Sequence, residues 1–124
     1  YGPRIAHQLP KVLEELKQNP NTRRACVLIL SEADNCLYGK DETIEYPCCF
    51  NITFSIRNGK LNSHFDMRSE NTAIVLQLDL YLQCRVLIEV AKILDLPVGK
   101  ISSNIVSAHI YNRDLKYIEE IIYG

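Results

Sequence analysis

The stretch from Phe50 to Met67 constrains the fold more than any other. Phe50, Ile52, Phe54 and Ile56 alternate with Asn51, Thr53, Ser55 and Arg57. Asn58-Gly59 follows, and then Leu61, Ser63, Phe65 and Met67 alternate with Asn62, His64, Asp66 and Arg68. A period of two makes each run a strand with one buried face, and Asn-Gly between them suits the left-handed backbone of a type I′ turn. An antiparallel hairpin with an apolar face needs something to cover that face.

The flanking segments offer that cover. Residues 7–18 carry Leu9, Val12, Leu13 and Leu16 at helical spacing, with Pro10 fitting only near a first turn and Asn19-Pro20-Asn21 stopping the helix. Ala25–Leu30 is a short apolar run that reads as a buried strand. Residues 32–46 read as a polar loop. Residues 77–95 form a long helix that Leu78, Tyr81, Leu82, Val86, Leu87 and Val90 suggest is buried. Residues 100–112 read as a strand and 114–122 as a closing helix. The order α-β-β-β-α-β-α makes the class α+β or mixed α/β, a sheet flanked by a long buried helix.

Composition narrows the functional classes. With 124 residues, one domain or part of one is expected. A net charge of -1 supplies no bulk attraction to nucleic acid or to an anionic membrane. No apolar run is long enough to span a bilayer, so a cytoplasmic protein that engages neither membrane nor nucleic acid is the default. Tyr1 is not an expected translation start, and Met67 is the only methionine; a preceding segment is therefore expected, and with it an incomplete domain.

The five cysteines are Cys26, Cys36, Cys48, Cys49 and Cys84. An odd number at irregular spacing is no disulfide framework, and the absence of any C-x-x-C pair argues against structural zinc, so no metal is expected. Cys48 and Cys49 as strand neighbours would face opposite ways, which makes them poor disulfide partners. Cys26 and Cys84 sit in apolar runs and read as core. Cys48 reads from the residues alone either as core filler or as a nucleophile.

Five strings, taken together, resemble the thymidylate synthase and pyrimidine nucleotide (dCMP) hydroxymethylase superfamily. They are Tyr1-Gly2, Asn19-Pro20-Asn21-Thr22-Arg23-Arg24, Pro47-Cys48, Gly59-Lys60-Leu61 followed by Arg68-Ser69, and Ala108-His109-Ile110-Tyr111, in the family's order and nearly its spacing. The resemblance covers nearly all of this chain and only the central and later part of a family enzyme, so residues 1–124 are expected to form one thymidylate synthase-like domain lacking its N-terminal segment. It implies one-carbon transfer to C5 of a pyrimidine nucleoside monophosphate by a homodimer that uses 5,10-methylenetetrahydrofolate. It also implies roles. Cys48 would add to C6 of the ring and make C5 nucleophilic. Arg68 would lie by the thiolate and, with Ser69, hold the phosphate. Arg23 and Arg24 would reach a partner subunit's phosphate, where guanidinium forks fit. His109 and Tyr111 would hold the sugar.

The departures from the family pattern are as informative. Asp79, eleven residues past Arg68, stands where thymidylate synthases resemble one another in an asparagine that reads uracil. Asparagine can donate to O4 and accept from N3–H, whereas cytosine inverts that pattern. A carboxyl group can accept from the cytosine amino group and, when protonated, donate to N3. Asp79 therefore points to dCMP or CMP and hydroxymethylation, with an N-cap or interface aspartate as the plainer alternative. Cys49 replaces a histidine or asparagine, Asn71 replaces a folate-orienting aspartate, and Val75 and Gln77 replace a glycine and a proline. Asn71, Val75 and Gln77 keep open a nucleotide-binding homologue without folate chemistry, and a thymidylate synthase acting on dUMP stays open with Asp79 misaligned or adapted.

Overall fold

The computed structural model describes residues 1–35 and 47–124. The expected hairpin is present as β2 (Cys49–Arg57) and β3 (Lys60–Met67), antiparallel from Arg57↔Lys60 to Cys49↔Met67. Asn58 (φ 52°) and Gly59 (φ 69°) both take the left-handed conformation that a type I′ turn demands. A short strand β1 (Cys26–Leu28) pairs antiparallel with β2 in the register Cys26↔Thr53.

The register of β2 and β3 slips at the start of β2, where two steps from Cys49 to Asn51 match one step from Met67 to Asp66. Phe50 is the extra residue of this β-bulge, and its carbonyl accepts the N–H groups of both Ile29 and Leu30. The alternation read from sequence carried Phe50 into the core face. The bulge instead leaves Phe50 half-buried and turns Cys49 inward beside Ile52.

Helix α1 runs from Gly2 to Gln18, five residues earlier than the spacing predicted, with Pro3 in its first turn. Pro10 therefore lies in the helix interior and not near a first turn. It sits on the exposed face and loses one backbone bond there, while Ile5, Leu9, Val12, Leu13 and Leu16 pack on the core. Two polar contacts fasten α1 to β1. The Gln8 amide donates to Leu28 O (2.7 Å) and accepts Leu28 N–H (2.9 Å), as another strand would. Arg4 grips Asp34 with two 2.7 Å bonds and also donates to Ile29 O. The Arg4 fork holds the Asp34 carboxyl well below the usual carboxylate range. Asp34 belongs to a single helical turn, α2 (Glu32–Asn35), at the start of the segment expected to be loop. The rest of that loop and Cys36 lie outside the described residues.

After β3 the chain forms the two-residue strand β4 (Glu70–Asn71), then helix α3 (Leu76–Ile93) and strand β5 (Val98–Ile105). Strand β5 returns parallel to β3, giving the sheet order β1-β2-β3-β5. Helix α3 ends in a Schellman motif: Asp95 takes φ 55°, and Leu96 N–H reaches Ala91 O at 2.9 Å. Its burial is one-sided. Gln83, Leu87, Val90 and Ala91 are buried, but Leu78, Leu82 and Tyr81 (61% exposed) are not. The first turns overhang a cavity, and only the second half lies on the sheet.

The strand expected over 100–112 is broken. β5 stops at Ile105, and after a bend β6 (Ala108–His109) pairs parallel with β4, Glu70↔Ala108 and Asn71↔His109. A 3-10 turn (Asn112–Asp114) leads into helix α4 (Leu115–Tyr123). The core between α1, the sheet and α3 centres on Phe54, Ile52, Leu61, Phe65 and Met67. Truncating Phe54 (1% exposed) leaves a void that its neighbours cannot fill. Phe54→Ala should lower the unfolding free energy by about 3–5 kcal/mol, read from urea melts.

Candidate functional site

Three chain segments meet where β2 begins: the start of α1, the Pro47-Cys48-Cys49 approach to the bulge, and Arg68 at the end of β3. Arg68 ties two of them together. Its backbone N–H donates to Cys48 O (2.8 Å), its Nε donates to Pro47 O (2.9 Å), and one Nη lies 3.7 Å from Cys48 Sγ. From the other side, the Tyr1 hydroxyl oxygen accepts the N–H groups of Cys48 (3.1 Å) and Cys49 (3.3 Å). Burial outweighs these two donations and pushes the Tyr1 hydroxyl up, so it stays neutral.

The neighbouring cysteines differ. Cys48 precedes the strand and is partly accessible. Cys49 is buried, its thiol 3.5 Å from Asn51 O, and burial pushes that thiol up to about 11, helped by the negative charge of Asp79 and Asp66. Cys49 is thus a neutral lining residue at physiological pH.

Cys49 opens onto a cavity of about 280 Å³ bounded by α1, the sheet and α3. Its floor is apolar, with Ile52, Phe65 and Met67, and its polar groups come from Tyr1, Asp79, Gln83 and Arg85. Cys48 is not a lining residue; it adjoins the cavity through Cys49 and Tyr1. Asp79 and Gln83 are one helical turn apart on α3 and share its inner face. Gln83 is fixed there by Ser103 Oγ, which donates to its Oε1 at 2.7 Å.

Behind Asp79 lies a carboxyl group that sequence reasoning missed. Glu70 is only 3% exposed, and its carboxyl shares a hydrogen bond with that of Asp79. Neither forms an ion pair with a basic side chain among the described residues. Burial, then the Asp79 carboxyl, push the Glu70 acid up to about 7, against the opposing pull of the Asn71 N–H. A two-residue strand is too short to show alternation, so no periodicity marks Glu70 as buried. Gln83 was within reach of sequence reasoning, because it falls on the stripe of Asp79, Leu87 and Val90.

The remaining expected residues form a second group along β4 and β6. Ser69 Oγ lies 3.4 Å from His109 Nδ1, and the His109 and Tyr111 rings meet edge to face at 4.9 Å. Arg113 stacks over Tyr111 at 4.8 Å, an addition to the expected set. Arg23 and Arg24 stand apart. The β1–β2 register puts them at the far end of β2 from Cys48, exposed on a turn that buried Thr22 braces by accepting Arg24 N–H and donating to Glu15. Asn71, expected near a folate, is turned away. Its amide donates to Asp114 Oδ2 (3.3 Å) and accepts Ala73 N–H (3.1 Å). With Asn71 engaged and Val75 exposed, the described residues do not build a folate cradle. Among them no group of three or more His, Cys, Asp or Glu could hold a metal, and no helix is long and apolar enough to cross a membrane.

Two measurements follow from these environments. Iodoacetamide at pH 8 should label Cys48 at least ~10-fold faster than Cys49, as peptide mass spectrometry would read, because a thiol near 11 carries almost no thiolate there. An acid raised from its usual 4.5 to about 7 binds its proton more tightly when folded. Its stabilisation is full below pH 4.5 and is lost as pH rises through about 7. The thermal midpoint of the protein relative to Glu70→Gln should therefore fall across that interval.

Comparison with known proteins ties this arrangement to a lineage. Residues 3–123 match the family model described as thymidylate synthase. A "Putative thymidylate synthase" of Methanosarcina barkeri is 31% identical over 131 residues, covering 100% of this chain and 58% of that protein. The deoxycytidylate 5-hydroxymethyltransferase of Enterobacteria phage T4 is 27% identical over 119 residues, covering 90% of this chain and 48% of its own. The chain thus spans about half the length of the curated relatives it matches. Among solved structures, a thermostable thymidylate synthase A from Bacillus subtilis superposes with a TM-score of 0.81 at 20% identity, over 94% of this chain and 40% of that one. The fold is that of this structure.

Proposed function

The chain belongs to the thymidylate synthase family, and from that premise we propose that it is the central and later part of an enzyme that transfers one carbon to C5 of a pyrimidine nucleoside monophosphate, acting by preference on dCMP or CMP and forming the hydroxymethyl product. The observation that carries the cytosine preference is Asp79, a carboxyl group on the cavity wall that shares a hydrogen bond with a second carboxyl, Glu70, and that forms no ion pair with a basic side chain among the described residues. Such a pair retains a hydrogen and can offer both an acceptor and a donor. Cytosine needs that combination: its amino group donates and its N3 accepts.

In this reading Cys48, with the Arg68 guanidinium 3.7 Å from its sulfur, adds as a thiolate to C6 of the ring. The S–C6 bond forms, the C5=C6 π pair moves towards C4 and N3, and C5 becomes enamine-like and nucleophilic. Pro47 and Tyr1 fix the backbone that aims Cys48. Ser69 and Arg68 hold the phosphate, and His109 and Tyr111, already stacked on each other, hold the sugar. Arg23 and Arg24, remote from Cys48 in their own chain, serve the site of a second subunit in a homodimer. Methylenetetrahydrofolate is the one-carbon donor expected of the family. Because the described residues do not build its cradle, that half of the reaction belongs to the whole protein.

A second reading, methylation of dUMP to dTMP, is favoured by the archaeal relative, whose identity and coverage exceed those of the phage protein. A third, nucleotide binding without transfer, is favoured by the engagement of Asn71 with Asp114. Each pyrimidine monophosphate, tritiated at C5, separates the three. Tritium should pass to water from the cytosine nucleotide, and release from the uracil nucleotide alone would overturn the preference. Cys48→Ser should abolish release, a loss of at least ~10³-fold. Asp79→Asn should reverse the base preference. Bound nucleotide with no release from either base would favour the third reading.

A further inference from the structure

We propose that Glu70 is a positioning residue for base choice: buried behind Asp79 and away from the cavity, it keeps a hydrogen on the carboxyl pair for donation to N3 of a cytosine ring. The inference rests on the cytosine reading above and deepens it. The geometry is that of a wall with a second carboxyl behind it. Glu70 follows Arg68 and Ser69 directly, and begins β4 after a two-residue break from the end of β3. Pairing of β4 with β6 buries it to 3% exposure. Its side chain meets the first turn of α3, where Asp79 stands between it and the cavity.

The charged and titratable groups around the pair come from every neighbouring element. Asn71 N–H from β4 donates to Glu70, and Cys49 on β2 faces Asp79. Tyr1 from α1 and Arg85 from α3 share the cavity wall with Asp79. Arg68 lies two residues before Glu70 and is engaged with Pro47 and Cys48. Two carboxyl groups so close cannot both ionise at low cost, and they hold one hydrogen between them. A cytosine N3 is an acceptor and draws that hydrogen to Asp79. Glu70 is then the ionised member, held by Asn71 N–H. The hydrogen bond strengthens as Cys48 adds at C6 and negative charge gathers on N3, so it assists the adduct as well as the binding. A uracil ring brings its own N3–H against the same hydrogen, two donors facing each other, and is disfavoured.

Glu70→Gln tests this. Glutamine keeps the shape and can donate to Asp79, but it cannot share an ionisable hydrogen. Asp79 would then have no second carboxyl group to share a hydrogen with and would act as an acceptor only. Tritium release from the C5-labelled cytosine nucleotide should fall about 10- to 100-fold relative to release from the uracil nucleotide. The wild-type cytosine activity should decline with rising pH where the pair loses its hydrogen, and in Glu70→Gln that decline should move to lower pH. Glu70→Asp should restore part of the preference. An equal loss with both nucleotides, or none, would overturn the assignment. Carboxyl ¹³C NMR on the ligand-free protein supplies an independent readout. Glu70 should titrate at about 7, with the Asp79 carboxyl signal moving in the same step, and Glu70→Gln should abolish that step. Two independent steps below pH 5 would overturn the proposal regardless of any activity. Failure of the cytosine reading has its own signature, an intact coupled titration in a protein that releases no tritium from the cytosine nucleotide; that result removes the assigned role with it.

Discussion

Arg68 is the residue through which the site is assembled. Its main chain closes onto Cys48 O, its Nε onto Pro47 O, and its guanidinium onto Cys48 Sγ. Those bonds join the end of β3 to the approach of β2, although the two lie twenty residues apart in sequence. The hairpin makes this possible, because an antiparallel pair returns the end of β3 to the start of β2. A hairpin fixed by its Asn-Gly turn thus determines where Cys48 and Arg68 meet. The same residue then directs the chain into β4, so Ser69 and buried Glu70 inherit their positions from it.

The irregular backbone does the remaining placement. Without the bulge at Phe50, strict alternation would send Cys49 and Ile52 to opposite faces, and the cavity would lose one of them. The break between β5 and β6 acts similarly on the other side. By interrupting the parallel pair β3/β5 and resuming it as β4/β6, the chain brings His109 beside Ser69. Regular strands carry the core, and their two interruptions carry the site.

That division explains how much was legible in the sequence. The hairpin, its turn and its buried residues were readable because alternation over eight or nine residues is a strong signal. The long helix was readable as a helix, but its burial was overstated. Leu78, Tyr81 and Leu82 are apolar and exposed, since apolar character does not say whether a helix has a neighbour on every side. The start of α1 was missed because Pro10 was taken as a first-turn proline, while the bonds of Arg4 and Gln8 hold the helix together five residues upstream. Cys48, Arg68, Ser69, His109, Tyr111 and Asp79 were identified by resemblance, and the fold brings them into two adjoining groups. Glu70 and Arg113 were not, because their positions depend on strand pairing and on stacking that no local pattern encodes, whereas Gln83 lies on the helical stripe of Asp79, Leu87 and Val90.

Two pairs of like residues in this site show how environment divides identical chemistry. Cys48 and Cys49 are adjacent, yet one faces a guanidinium and the other an apolar wall beside carboxylates. The first has a guanidinium 3.7 Å from its sulfur, and burial holds the second as a thiol. Glu70 and Asp79 are nine residues apart, yet strand and helix press them together, and burial with the Asp79 carboxyl pushes the Glu70 acid up to about 7. In both pairs the division follows from burial and neighbouring charge, not from side-chain identity. The cation is kept on the sulfur side of the site, where Arg68 is held by Pro47 and Cys48.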